Sequence, residues 1–152
     1  MSAPQLRVLC LSGPNLQLLG TREPEVYGPT TLDEIHASLR GAGAALGVEV
    51  TCRQSNHEGE LVDWIGAARG AFEGLLLNAG ALSHTSLSLF DAIKAVSLPC
   101  VEVHLSNPEA REPFRHHSMI AGACLGKVTG FGAHSYALAL TGLASHLSAK
   151  TR

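Results

Sequence analysis

The sequence has no cluster of Lys or Arg, and its formal net charge is -2 over 152 residues. That balance argues against nucleic acid or an anionic membrane surface as the main partner. It has no apolar run long enough to span a bilayer. The apolar stretch within Met1 to Leu11 is too short for a signal peptide and lacks an Ala-x-Ala-like cleavage site, so a cytoplasmic protein is expected. There is no C-x-x-C pair. The four cysteines, Cys10, Cys52, Cys100 and Cys124, are far apart and lie in or at the start of apolar or alternating runs, and they read as small core hydrophobes in a reducing compartment. Among eight histidines only His116 and His117 are adjacent, and no H-x-x-x-H or H-E-x-x-H pattern occurs, so no dedicated metal site is expected. No G-x-G-x-x-G follows the first apolar run and no G-x-x-x-x-G-K-[ST] exists, which disfavours a phosphate-cradling loop and a flavin or nucleotide module. Internal repeats, low-complexity tracts and domain boundaries are absent as well.

What is present is 45% hydrophobic residues with modest charge, enough chain for one globular domain over residues 1–152 with a real core. Short, nearly continuous apolar runs at Arg7 to Ser12, Gly74 to Asn78 and Cys100 to His104 read as strands covered on both faces. Val48 to Gln54 and Cys124 to Thr129 alternate, as edge strands do. Between them, Leu32, Ile35, Leu39, Ala42 and Leu46 share a helical face, with Thr31 and Glu34 at capping-box spacing and Gly47 as the stop. Ser55 or Asn56 can cap a second helix with a stripe of Leu61, Trp64, Ile65, Ala68 and Phe72. Leu89, Ala92, Ile93 and Val96 mark a third helix closed by Pro99; residues 109 to 117 suit a single helical turn; Tyr136, Leu140, Leu143 and Leu147 mark a closing helix. Strands alternating with helices specify a doubly wound α/β domain with a five-stranded parallel sheet in the order 2-1-3-4-5.

In such sheets ligands bind at the carboxyl ends of the strands, near the switch point between the first and third. The polar residues gather at those ends. A long segment from Gly13 to Gly28, lacking any apolar period, carries Asn15, Arg22 and Tyr27, and loops of that length are commonly lids or binding segments. Strand three ends at Asn78 and leads to His84; strand four ends at His104 and Ser106, with Arg111 and Arg115 beyond. A phosphorylated-receiver domain would need an acidic cluster where Ser12 and Asn78 stand instead.

Gly13-Pro14-Asn15-Leu16, Leu-Gly-x-Arg-Glu-Pro-x-x-Tyr-Gly from 19 to 28, Asn78-Ala79-Gly80, His84-Thr85-Ser86, Asp91-Ala92 and Glu102 to Asn107, with Arg111, Phe114 and Arg115, closely resemble the type II 3-dehydroquinate dehydratases. The resemblance runs from about Val8 to Leu143. It implies a flavodoxin-like fold and the anti elimination of water from 3-dehydroquinate, through an enol or enolate, to 3-dehydroshikimate, without metal or organic cofactor. That reaction serves both aromatic biosynthesis and quinate breakdown.

By the same resemblance Tyr27 is the base that takes a carbon-bound proton. A free tyrosine titrates near ~10, and the adjacent cation of Arg22 favours its charged form. Asn15 supports the developing oxyanion, through a held water. His104 is the general acid, with Glu102 to orient or charge it, two residues apart on one strand face. Asn78, the Leu105 backbone N–H and Ser106 bind the substrate carboxylate; His84 and Arg115 bind ring hydroxyls. Arg111 holds the lid or the protein's own carboxylates, and Asp91 reaches a neighbouring subunit's site in a dodecamer built from trimers. Leu18 and Ala81 depart from the arginine and glycine that some members place there, a difference that bears on lid closure over residues 13–30. The competing reading from another class is a catalytically silent small-molecule-binding module on the same fold.

Overall fold

The computed structural model describes residues 5–150; the first four residues, which the expectation of no leader sequence also concerns, and the last two lie outside that range. Five parallel strands, β1 (Leu6–Ser12), β2 (Val48–Gln54), β3 (Gly74–Asn78), β4 (Cys100–His104) and β5 (Gly126–Thr129), form one sheet in the order β2-β1-β3-β4-β5. The expected order and the expected edges are both observed. Side chains alternate across β1, so Val8 and Cys10 join one apolar layer while Leu9 and Leu11 join the other. The first layer packs Ile35 and Leu39 of α2 (Leu32–Ala45) and Tyr136, Leu140 and Leu143 of α5 (His134–Lys150) against the sheet. The second packs Leu61 and Ile65 of α3 (Glu58–Gly66) and Leu89 and Ile93 of α4 (Leu87–Val96). A sheet buried on both faces explains why its central strands read as continuous apolar runs.

Local chemistry sets the helix ends. Thr31 caps α2 by accepting the Glu34 N–H, and its hydroxyl donates to the Glu34 carboxylate. Gly47 follows at φ +73, the left-handed turn that releases the chain into β2. Leu46, expected on the buried face, is 44% exposed, because it stands past the last helical turn. Neither Ser55 nor Asn56 caps α3: Ser55 accepts the His57 N–H, Asn56 serves the loop after β1, and the helix starts at Glu58. Trp64 and Phe72 are only half-buried, since α3 ends at Gly66 and Phe72 lies beyond it. Cys124 precedes β5, which opens at Gly126. The four cysteines are free; Cys10 and Cys100 are buried, Cys52 and Cys124 half-buried. Two short 3-10 turns, Pro108–Ala110 and Pro113–Arg115, replace the single turn expected after β4, each started by its proline. No helix among the described residues is long and apolar enough to cross a membrane.

Candidate active site

The segment after β1 is more ordered than its lack of period suggests. It contains a 3-10 turn at Leu16–Leu18 and a single α-turn, α1 (Pro24–Tyr27), with Pro24 in the first helical position. Leu16, Leu19 and Tyr27 are buried and join the apolar layer shared with α2 and α5. Its start is tied from the neighbouring strand: the Gln54 amide donates to the Gly13 carbonyl and the Gln17 side chain, and the Asn56 side-chain oxygen accepts the Asn15 N–H at 2.9 Å. Asn15 adopts the left-handed conformation, φ 70, a region asparagine tolerates better than most residues. Gly13 donates its N–H to the Asn78 carbonyl, and a Cβ there would lie 2.6 Å from the Ala79 carbonyl oxygen, so only glycine fits.

Beside this segment lies a crevice of about 120 Å³ lined by Asn15, Arg22, Tyr27, Asn78, His84, His104, Leu105, Ser106, Arg111 and Arg115. It is smaller than the ~300–1,000 Å³ of drug-sized pockets, which suits one compact polar ligand and not a dinucleotide. Within the segment after β1, Arg22 donates to the Tyr27 hydroxyl oxygen at 3.1 Å and its guanidinium lies 4.4 Å from the ring centroid. Arg111 lies 5.2 Å from the same ring and donates to the Ser106 hydroxyl. Two cations therefore hold one aromatic ring, and Arg111 touches the segment after β1 through Tyr27.

On the sheet side, His104 places Nε2 2.5 Å from a carboxylate oxygen of Glu102. The carboxylate can only accept, so Nε2 carries the proton and Nδ1 is the nitrogen left to meet a ligand. Glu102 is fully buried and does not line the crevice, so of the expected pair only His104 can touch substrate. Burial pushes the Glu102 carboxyl up, but the hydrogen bond and charge of His104, the hydroxyl of Ser118 and the charge of Lys127 outweigh it and hold the group below its ordinary range. His84 stacks near His104, ring centroids 6.3 Å apart, and gives its Nδ1 proton to the His117 carbonyl. Arg115 is held by the Glu112 carboxylate at 3.2 Å. Asn78 donates to the Tyr136 hydroxyl and accepts the Gly80 N–H, which determines which way its amide points.

Asp91 is exposed on α4 and outside the crevice; the other expected site residues, Arg111 included, come together at or directly behind it. Sequence reading missed the layer behind the site. Tyr136, fully buried and bonded to Ser12 and Asn78, reads in sequence only as a helix-face residue. Ser118, bonded to Glu102, sits in a stretch with no period, and nothing local marks it.

The carboxyl edge of this sheet thus brings a tyrosine, two histidines and three arginines to one small crevice, the polar setting of an enzyme site for a small ligand. The class II dehydroquinase family model matches residues 6–144, and the chain belongs to that family. A 3-dehydroquinate dehydratase from Ruegeria pomeroyi is 59% identical over 141 residues, covering 93% of this chain and 95% of the relative. One from Nostoc sp. is 58% identical over 142 residues, covering 93% and 97%. The crystal structure of a type II dehydroquinase from Propionibacterium acnes superposes with a TM-score of 0.89 at 41% identity, covering 95% of this chain and 99% of that one.

Proposed function

We propose that Tyr27, activated by Arg22, and His104, oriented by Glu102, carry out the 3-dehydroquinate dehydratase reaction of this chain, a carbon–oxygen lyase. The observation that supports this assignment is that the Tyr27–Arg22 pair and His104 line one crevice. Anti elimination needs a base on one face of the substrate ring and an acid on the other. The Tyr27 oxygen, as phenolate, takes the carbon-bound proton next to the ketone, and the Arg22 N–H already aimed at that oxygen meets its charge. Electron density moves to the ketone oxygen, and the enolate is met by Asn15 through a held water. Collapse of the enolate expels the hydroxyl, which takes a proton from Nδ1 of His104 in its doubly protonated form and leaves as water, while Nε2 keeps its proton towards Glu102. Proton return from Tyr27 to His104 resets the site.

Asn78, the Leu105 backbone N–H and Ser106 hold the substrate carboxylate, and His84 and Arg115 hold ring hydroxyls; with the proton on Nδ1 of His84 committed to His117, neutral Nε2 accepts from a hydroxyl. The lid over residues 13–30 closes the site and excludes water. Asp91, facing outward, serves a neighbouring subunit in a dodecamer of trimers, and the enzyme works in the cytoplasm. Purified protein mixed with 3-dehydroquinate at neutral pH should develop the ultraviolet absorbance of the conjugated enone product. Silence from well-folded protein would instead favour a binding module without turnover. Tyr27→Phe should lose nearly all turnover while still binding ligand in calorimetry; wild-type turnover in that variant would show the base to be misassigned.

A further inference from the structure

Behind His104, the Glu102 carboxylate has a second partner that the reaction chemistry does not require. The Ser118 hydroxyl lies 2.9 Å from each of its two oxygens. The Ser118 oxygen accepts the Ala121 N–H at 3.1 Å, so its proton is free for Glu102. One hydroxyl centred on both carboxylate oxygens fixes the plane of the carboxylate, while the Nε2 bond of His104 fixes its edge. Ser118 is half-buried in the segment between the 3-10 turn Pro113–Arg115 and β5, whose neighbouring Met119 N–H is bonded to the Ser83 carbonyl, one residue before His84. The segment is thus clamped to the wall of the crevice.

We propose that Ser118 is a positioning residue of the dehydration: it locks the Glu102 carboxylate against the His104 ring so that Nδ1 of His104 stays aimed at the departing hydroxyl. This rests on His104 as the general acid. The proton in the short Nε2–Oε2 bond has two resting places, the imidazole and the carboxylate. Only the imidazole placement leaves Nδ1–H acidic enough to protonate a leaving hydroxyl. The Ser118 hydrogen bond stabilises the ionised carboxylate and so keeps that proton on the ring. Other groups near the pair are Lys127, paired with Glu102 on the neighbouring strand β5, the buried Cys100 thiol, and the stacked ring of His84; Arg22, Arg111 and Arg115 line the same crevice as His104. None of these is bonded to both carboxylate oxygens.

The test is a carbon-13 titration of the Glu102 carboxyl in wild type, S118A, S118C and S118T, alongside steady-state kinetics with 3-dehydroquinate. In S118A the Glu102 titration should move up by about one pH unit, the scale of a lost hydrogen bond to a charged group. In the same variant kcat should fall about tenfold or more with KM little changed. S118T should restore both and S118C should fall between, since a thiol is a weak donor. A wild-type Glu102 titration in folded S118A, or a loss confined to KM, overturns the proposal; if S118A does not fold, S118C with wild-type titration and kcat does the same. The titration is read without turnover, so it stays informative even where a His104→Gln variant that kept wild-type kcat showed that the acid had been misassigned.

Discussion

At the scale of single residues, the site depends on side chains whose hydrogen bonds are already committed before substrate arrives. Tyr136 shows this: its buried hydroxyl accepts a hydrogen bond from the Asn78 amide and shares another with Ser12, and burial pushes its own ionisation well up, so it stays neutral. Tyr136→Phe leaves a buried Asn78 N–H without its acceptor, which costs about 1–3 kcal/mol. Chemical denaturation should show that loss, and kinetics should show KM raised more than kcat is lowered. Glu102 makes a pH statement. Its folded value lies below the ordinary carboxylate value, near ~4.3 in an unfolded chain. Its contribution to stability is therefore complete above that value and is lost as pH falls through the lower folded one. The gap in melting temperature between wild type and Glu102→Gln should narrow as pH drops from about 6 to about 3; a gap that held constant would show that the shift does not feed stability.

At the scale of elements, the lid and the sheet edge are one construction. Gly13 passes so close to Ala79 that a methyl group there must push β1 and β3 apart at the end that carries Asn78. Gly13→Ala should destabilise by about 1–3 kcal/mol and raise KM, measured by denaturant melts and kinetics on the same preparation. The lid is anchored from β2 through Gln54 and from the residue Asn56 just beyond it. Gln54→Ala with Asn56→Ala should free the start of the lid, seen as faster protease cleavage within residues 13–30 and a higher KM, with the melting temperature nearly unchanged. Much of this scale was legible in sequence: β2, β3 and β4 lie where the apolar patterns place them, because each strand is short and bounded by turn chemistry. The turns inside the lid were not legible. They are held by Leu16, Leu19 and Tyr27 joining the apolar layer that covers one face of the sheet, a packing that leaves no local period to read.

At the scale of the whole molecule, Asp91 is exposed on α4, and the proposed dodecamer gives it a neighbouring subunit's site to serve. Sedimentation at micromolar concentration should give twelve copies, and Asp91→Ala should impair turnover without changing the mass; a monomer with full activity would remove any role for a neighbour. By itself the sequence determined the strand order and the covered faces of the sheet, because apolar periodicity acts over a few residues at a time, and its resemblance to the family supplied the candidate reacting residues. Only the tertiary structure decided which partner each reacting group has: Glu102 behind His104 and not beside it, Ser118 behind Glu102, Tyr136 behind Asn78, and a tyrosine ring held between two guanidiniums. Except for the Glu102–His104 and Arg22–Tyr27 contacts, those pairings join residues far apart in the chain or on separate elements, and hydrogen-bond geometry between separate elements exists only once the layers have packed.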